Sequence, residues 1–126
     1  MHYVYVKLPA SKHSAHGEHV FHEGLEAALT QAQLGSVLGW GASLARSEAH
    51  ETAHVAFHRI DIEVTQPELA LALLQRTLTD LGAPEGSELH YTLDDTDWQN
   101  VRGPGGWSER QPSTATPLHR RQAPRR

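Results

Sequence analysis

The sequence lacks several features on which protein chemistry often depends. It contains no cysteine, which excludes disulfide bonds, thiolate metal ligands and a cysteine nucleophile. No apolar stretch approaches the roughly 20 residues that a transmembrane helix needs, and residues 1–9 alternate like a strand instead of forming a signal peptide. We therefore expect a cytoplasmic protein with no membrane partner.

The sequence motifs of several enzyme classes are missing as well. There is no Gly-x-Ser-x-Gly motif, and no P-loop or dinucleotide-binding glycine loop follows a predicted strand. We expect no cofactor, and an enzyme is the less favoured class. An enzyme that uses histidine acid–base chemistry stays an alternative.

The formal net charge of −4 conceals an uneven distribution. Residues 98–126 carry six arginines and one glutamate, whereas residues 1–97 carry five basic and fourteen acidic side chains. The end of the chain is also too poor in apolar side chains to offset the entropy cost of ordering. We predict one folded domain over 1–97 and a mostly disordered, Arg/Pro-rich tail over 98–126. An acidic domain repels phosphates, so the folded part is not expected to bind nucleic acid.

The second half of the chain has the clearest periodicity. Residues 55–64 alternate in character, which predicts a strand with one apolar and one polar face. Thr65-Gln66-Pro67-Glu68 has the spacing of a capping box, and leucines then recur at the spacing of an amphipathic helix. Gly82 predicts a left-handed helix end, and residues 89–93 predict another strand. The leucines of the helix are Leu71, Leu74, Leu78 and Leu81.

The first half predicts a strand over 2–8, a polar loop over 10–18, a helix from Val20 to about Leu34 and a strand over 36–44. The predicted order is therefore β-α-β-β-α-β. Two such βαβ halves predict a ferredoxin-like α+β sandwich, in which a four-stranded sheet carries two helices on one face.

A local resemblance accompanies this pattern. Residues 81–89, with the sequence Leu-Gly-Ala-Pro-Glu-Gly-Ser-Glu-Leu, follow the capped helix, and the preceding strand carries Ile60-Asp61-Ile62-Glu63. In this order the segments resemble small uncharacterised bacterial proteins with a ferredoxin-like fold. The resemblance covers residues 36–93 and rests on a helix end and a turn. It implies that fold and a bacterial origin, and it implies no function.

One face of the predicted sheet combines aromatic and charged side chains and is left open by the helices. A solvated face with cross-strand ion pairs is the simpler interpretation, and contact with a protein partner is the other. The glycines of the second strand favour contact, because an edge strand without proline offers unpaired backbone groups to another strand. The residues of this predicted interaction surface are Tyr3, Tyr5, Gly39, Gly41, Phe57, Arg59, Asp61, Glu63 and His90.

Ten histidines are the unusual feature of the composition. Two groups have regular spacing, and imidazoles at such spacing can converge on zinc or nickel. The simpler interpretation is a polar linker for the first group and a strand containing a partly buried histidine for the second. The first group is His13, His16 and His19, and the second is His50, His54 and His58.

These patterns favour a small non-enzymatic binding module that acts through protein–protein interaction or homo-oligomerisation. A histidine-mediated divalent-metal-binding protein is the alternative. The first hypothesis depends on the second strand and the open sheet face, and the second depends on the histidines.

Overall fold

The computed structural model describes the backbone of residues 1–9, 14–46 and 53–113, and the side chains of residues 1–9, 20–41 and 57–113. The elements are β1 (His2–Pro9), α1 (Ser14–Ala32), β2 (Gly35–Arg46), β3 (Ala53–Val64), α2 (Pro67–Asp80), β4 (Glu88–Leu93), β5 (Thr96–Gly103), β6 (Gly106–Trp107) and β7 (Gln111–Pro112).

The strands form one antiparallel, seven-stranded sheet in the order β2-β3-β1-β4-β5-β6, and β7 also pairs with β5. The predicted ferredoxin-like sandwich with four strands is therefore wrong. Its error lies after β4, the last predicted strand, because the sheet continues beyond Asp94 and Asp95. Both residues have positive φ, 52° and 63°, and form a two-residue turn between Leu93 and Thr96. This is the turn geometry that joins antiparallel strands, so the chain returns as β5.

Helices α1 and α2 cover one face of the sheet. Side chains of β1, β3 and β4 that point to this face alternate with side chains on the uncovered face, as the strand period requires. The leucines of both helices pack against the strand side chains on the covered face. Phe21 is partly buried and also packs against this core. The fully buried centre of this core includes Val4, Val6, Leu25, Leu29, Ile62, Leu74, Leu78 and Leu89.

The sequence predicted the C-terminal end of helix α2 correctly but not its N-terminal end. The expected capping box is wrong, because the N-cap is Gln66 and makes no side-chain cap, while the Thr65 hydroxyl faces the Leu34 carbonyl at 3.4 Å. The C-terminal prediction is correct, because Gly82 has φ 85°. The amide of Ala83 donates to the Leu78 carbonyl and that of Gly82 to Thr79, which is the Schellman pattern.

Helix α1 begins at Ser14, so the loop predicted over 10–18 is wrong for residues 14–18. It ends in a second Schellman pattern, in which Gln33 has φ 58° although its side chain disfavours that conformation.

Gly24 has a packing role in helix α1. A Cβ at Gly24 would lie 2.7 Å from a methyl carbon of Leu81, so the glycine admits the end of α2.

The region after residue 97 is part of the sheet as far as β7. The boundary predicted at residue 97 falls inside β5, and residues 114–126 lie outside the described residues. Trp107 packs against the core and donates from Nε1 to the Gln75 carbonyl at 3.2 Å. Arg110 binds both carboxylate oxygens of Glu68 at 2.9 and 3.1 Å. These contacts hold residues 106–110 against α2.

Within the part of the chain that the structure describes, no helix combines the length and the apolar character needed to cross a membrane.

Candidate interaction surface

The uncovered sheet face brings together several residues that the sequence placed there. Tyr5 on β1 is the centre, because it lies opposite Asp61 on β3 and opposite His90 on β4. Arg59 lies opposite Lys7, two residue pairs along the same strands and on the same face. The sheet register therefore sets Tyr5 between a cation and an imidazole.

The first cluster on this face joins β1 to β3. The Tyr3 hydroxyl donates to Asp61 Oδ1 at 2.6 Å, and Arg59 Nε donates to the same oxygen at 2.8 Å. Arg59 Nη2 also donates to the Tyr3 hydroxyl. Burial, together with the hydrogen bond to Asp61, raises the pKa of the Tyr3 phenol. The three side chains form a closed polar network that satisfies the buried charge of Arg59.

The second cluster is a stack around the Tyr5 ring. The Arg59 guanidinium carbon lies 4.0 Å from the ring centroid, and the His90 ring lies parallel to it at 4.6 Å between centroids. Burial raises the pKa of Tyr5 to about 12. Its buried hydroxyl has no hydrogen-bond partner among the described residues. Tyr5 therefore keeps its proton over the ordinary pH range and carries an unused donor.

The third cluster extends from β4 to the residue after β7. His90 Nε2 lies 2.6 Å from Glu88 Oε1, and His90 Nδ1 lies 2.9 Å from Ser113 Oγ. The hydrogen bond from His90 holds the pKa of the Glu88 carboxyl below its usual value. Glu88 is thus an ionised acceptor that fixes the orientation of the imidazole.

The face was predicted to be exposed, but contacts within these clusters bury part of it. Tyr5 and His90 are only 4% and 3% exposed, although exposure was predicted for both. Phe57 is also covered on one side, because Lys7 Nζ lies 4.5 Å above its ring centroid. Since a guanidinium and an imidazole occupy the two faces of the Tyr5 ring, that ring is not available for stacking by nucleic-acid bases. Glu63 lies opposite Tyr3 at the end of the same face.

The edge strand β2 is the part of the predicted surface that is open. Gly39 and Gly41 lie opposite Asp61 and Arg59, and a Cβ added at either glycine would meet no described atom within 4 Å beyond its chain neighbours. A register shift lies between Val37 and Gly39. Leu38, inside that shift, is 48% exposed. The glycines thus leave a notch on the uncovered face beside an outward-turned leucine.

Trp40 is the residue of β2 between Gly39 and Gly41. It lies opposite Ile60 and stacks on the His22 ring, with 3.7 Å between centroids and 7° between planes. It nevertheless stays 51% exposed. The indole therefore covers His22 on one side and presents its other surface at the rim of the sheet.

The predicted metal ligands are not brought together in the described part of the chain, where no group of three or more potential ligands is placed to hold an ion. His58 is buried on the helix-covered face of β3. His54 lies in β3, His16 and His19 lie in α1, and the side chains of these three are not described. His13 and His50 lie outside the described residues. Zinc or nickel binding by either group stays a prediction.

The spacing of His50 and His54 also matches a known zinc-binding motif. Residues 50–54 read His-Glu-Thr-Ala-His, which is the H-E-x-x-H pattern of zinc peptidases. That pattern binds zinc when one helix presents both histidines. Here Ala53 and His54 belong to β3, so the motif is not carried by a helix. A metallopeptidase site is therefore not supported.

Two residues of this surface were missed by sequence reasoning. Ser113 was assigned to a disordered tail, and Leu38 was not among the residues of the predicted interaction surface. Residues 98–101 read Trp-Gln-Asn-Val and do not alternate between apolar and polar side chains, so periodicity did not indicate that the sheet continues. No sequence signal marks the register shift that turns Leu38 outward.

Comparison with known protein families, with curated proteins and with solved structures finds no match. The resemblance of residues 36–93 to small bacterial proteins therefore stays a prediction, and the function is argued from the geometry of the chain itself.

Proposed function

We propose that this protein is a small binding module that associates through its edge strand β2, and that its partner is a second copy of the same chain. The observation that carries the proposal is the exposure of two large apolar side chains, Leu38 and Trp40, on the outermost strand of the sheet. Both are about half exposed although each is large enough to fill a core position.

The backbone of β2 supports strand addition. β2 is twelve residues long and, in the described part of the chain, pairs with β3 alone. The outer side of such a strand carries N–H and C=O groups that can pair with another chain. Natural edge strands are usually protected by lysine, proline, a charged inward-pointing residue or a β-bulge. β2 contains none of the first three before Arg46, and its two register shifts, at Val37/Gly39 and Ser43/Leu44, leave residues 39–43 as a regular stretch between them.

A second copy fits this edge for a reason of charge. Antiparallel pairing of β2 with itself about a two-fold axis sets the same surface of both chains face to face. Any charge near that axis would meet its own copy, and like charges directly opposite are destabilising. Residues 35–45 carry no charged side chain, so self-pairing brings no such repulsion. Gly39 and Gly41 leave space on the uncovered face for side chains of the added strand.

The test compares two leucine-to-lysine substitutions. Leu38→Lys places a charge on the proposed interface, whereas Leu69→Lys makes the same change on α2, where Leu69 is 59% exposed. Sedimentation velocity over rising protein concentration should show association of the unmodified chain and of Leu69→Lys, and its loss in Leu38→Lys. Association that survives Leu38→Lys but is lost in Leu69→Lys would assign the interface to α2 and contradict the proposal.

A further inference from the structure

The uncovered face also holds a chain of hydrogen bonds that strand pairing does not use. Glu88 and His90 alternate on β4 and therefore project from the same face. Ser113 follows β7, whose pairing with β5 brings its hydroxyl to the imidazole. The resulting series is hydroxyl, imidazole and carboxylate, with separations of 2.9 and 2.6 Å between the hydrogen-bonded atoms.

The direction of the protons in this series follows from the carboxylate. An ionised Glu88 can only accept, so His90 Nε2 carries the proton that is donated to it. In the tautomer whose single ring proton is on Nε2, Nδ1 has a free electron pair and accepts from the Ser113 hydroxyl. This is the protonation state in which an imidazole acts as general base toward a hydroxyl nucleophile.

The surroundings of His90 hold that geometry in place. The imidazole is 3% exposed and lies parallel to the Tyr5 ring, so packing and both ring hydrogen bonds restrict its rotation. The Tyr5 hydroxyl is a second, independent feature of this site. It is a buried donor without a partner in the described residues, and it belongs to the ring that packs against His90.

We propose that Ser113, His90 and Glu88 form an acyl-transfer site in which Ser113 is the nucleophile, His90 the general base and Glu88 the positioning residue. The substrate class is a small carboxylic ester. This activity goes beyond the binding function and does not depend on the β2 edge.

The reaction follows from the hydrogen bonds. Ser113 Oγ adds to the ester carbonyl carbon while its proton passes to Nδ1 of His90. The tetrahedral intermediate breaks its bond to the alcohol oxygen, which takes that proton and leaves. Water then adds to the acylated serine with His90 again as base, which releases the carboxylic acid and restores the Ser113 hydroxyl.

The first experiment uses a fluorescent fluorophosphonate, which phosphorylates activated serines, on the full chain. Ser108 is the control, because its hydroxyl donates to the Glu109 carbonyl and is similarly half-buried. We expect labelling at Ser113 that persists in Ser108→Ala, disappears in Ser113→Ala and falls about 10²-fold in His90→Gln. Absence of labelling at Ser113, or equal labelling in His90→Gln, would overturn the proposal.

A second experiment does not depend on the fold surviving the loss of His90. Because the chain contains no cysteine, Ser113→Cys and Ser108→Cys each carry a sole thiol. Alkylation by iodoacetamide at pH 7 should be about tenfold or more faster at position 113, because the neighbouring imidazole takes up the thiol proton. Equal rates at the two positions would overturn the general-base role. Leu38→Lys should leave both results unchanged, so failure of this proposal and failure of the edge proposal are distinguishable.

Discussion

Leu74 provides the most direct test of the hydrophobic core, which supports both the β2 edge and the uncovered face of the sheet. It lies on α2, is fully buried and belongs to the inner leucine stripe. Leu74→Ala removes about three carbon groups, which at about 0.8 kcal/mol each gives a transfer cost of about 2.4 kcal/mol. A residual cavity adds to this value, so we expect a total of about 2–5 kcal/mol.

The control is the same substitution on the same helix. Leu69 is exposed, so Leu69→Ala should change the free energy of unfolding by no more than about 0.5 kcal/mol. Urea unfolding at one fixed protein concentration measures the free energy of unfolding of both variants. The dependence of this free energy on urea concentration is compared between them. Equal costs for the two substitutions would show that the inner face of α2 is assigned wrongly.

Further predictions concern the end of helix α1, the segment after Ser108 and the ionisation of Tyr5. Gln33→Gly should raise the free energy of unfolding by about 0.5–1 kcal/mol in the same assay, because glycine adopts positive φ without steric cost; a loss of stability would contradict the assigned helix end. Truncation after Ser108 should lower the melting temperature by removing β7 and the Arg110–Glu68 ion pair, and an unchanged value would show that these contacts contribute nothing. The raised pKa of Tyr5 implies stability that is complete below pH 10 and is lost as the pH rises towards about 12. Tyr5→Phe cannot ionise, so its melting temperature should exceed that of the unmodified chain by a margin that widens from pH 9 to 12; a constant margin would refute this linkage.

The parts of the fold that the sequence predicted are those with strong local periodicity. The leucine stripe of α2 and the alternation in β1 and β3 identify elements and their buried faces, because burial on one side imposes a fixed period. β5 escaped prediction for two local reasons. Asp94 and Asp95 resemble a strand end when only composition is considered, and Gln99 and Asn100 are polar residues that the sheet nevertheless buries.

The sequence predicted some members of the candidate site but not how their side chains pair. Alternation places Tyr3, Tyr5, Arg59 and Asp61 on one face, but it says nothing of which side chains pair. The cross-strand register decides that Arg59 stacks on Tyr5 and that Tyr3, Arg59 and Asp61 share hydrogen bonds. The outward turn of Leu38 depends on a register shift, which is a property of two paired strands and not of one segment.

The central claim is that β2 pairs with a second copy, and hydrogen exchange of its backbone amides tests this claim most directly. Amides on the outer side of an edge strand exchange readily unless another strand accepts their hydrogen bonds. We predict that protection of residues 35–46 rises with protein concentration while that of α2 stays constant, and that Leu38→Lys abolishes the rise. Protection of β2 that is independent of concentration, in a chain that sediments as a monomer throughout, would contradict the account.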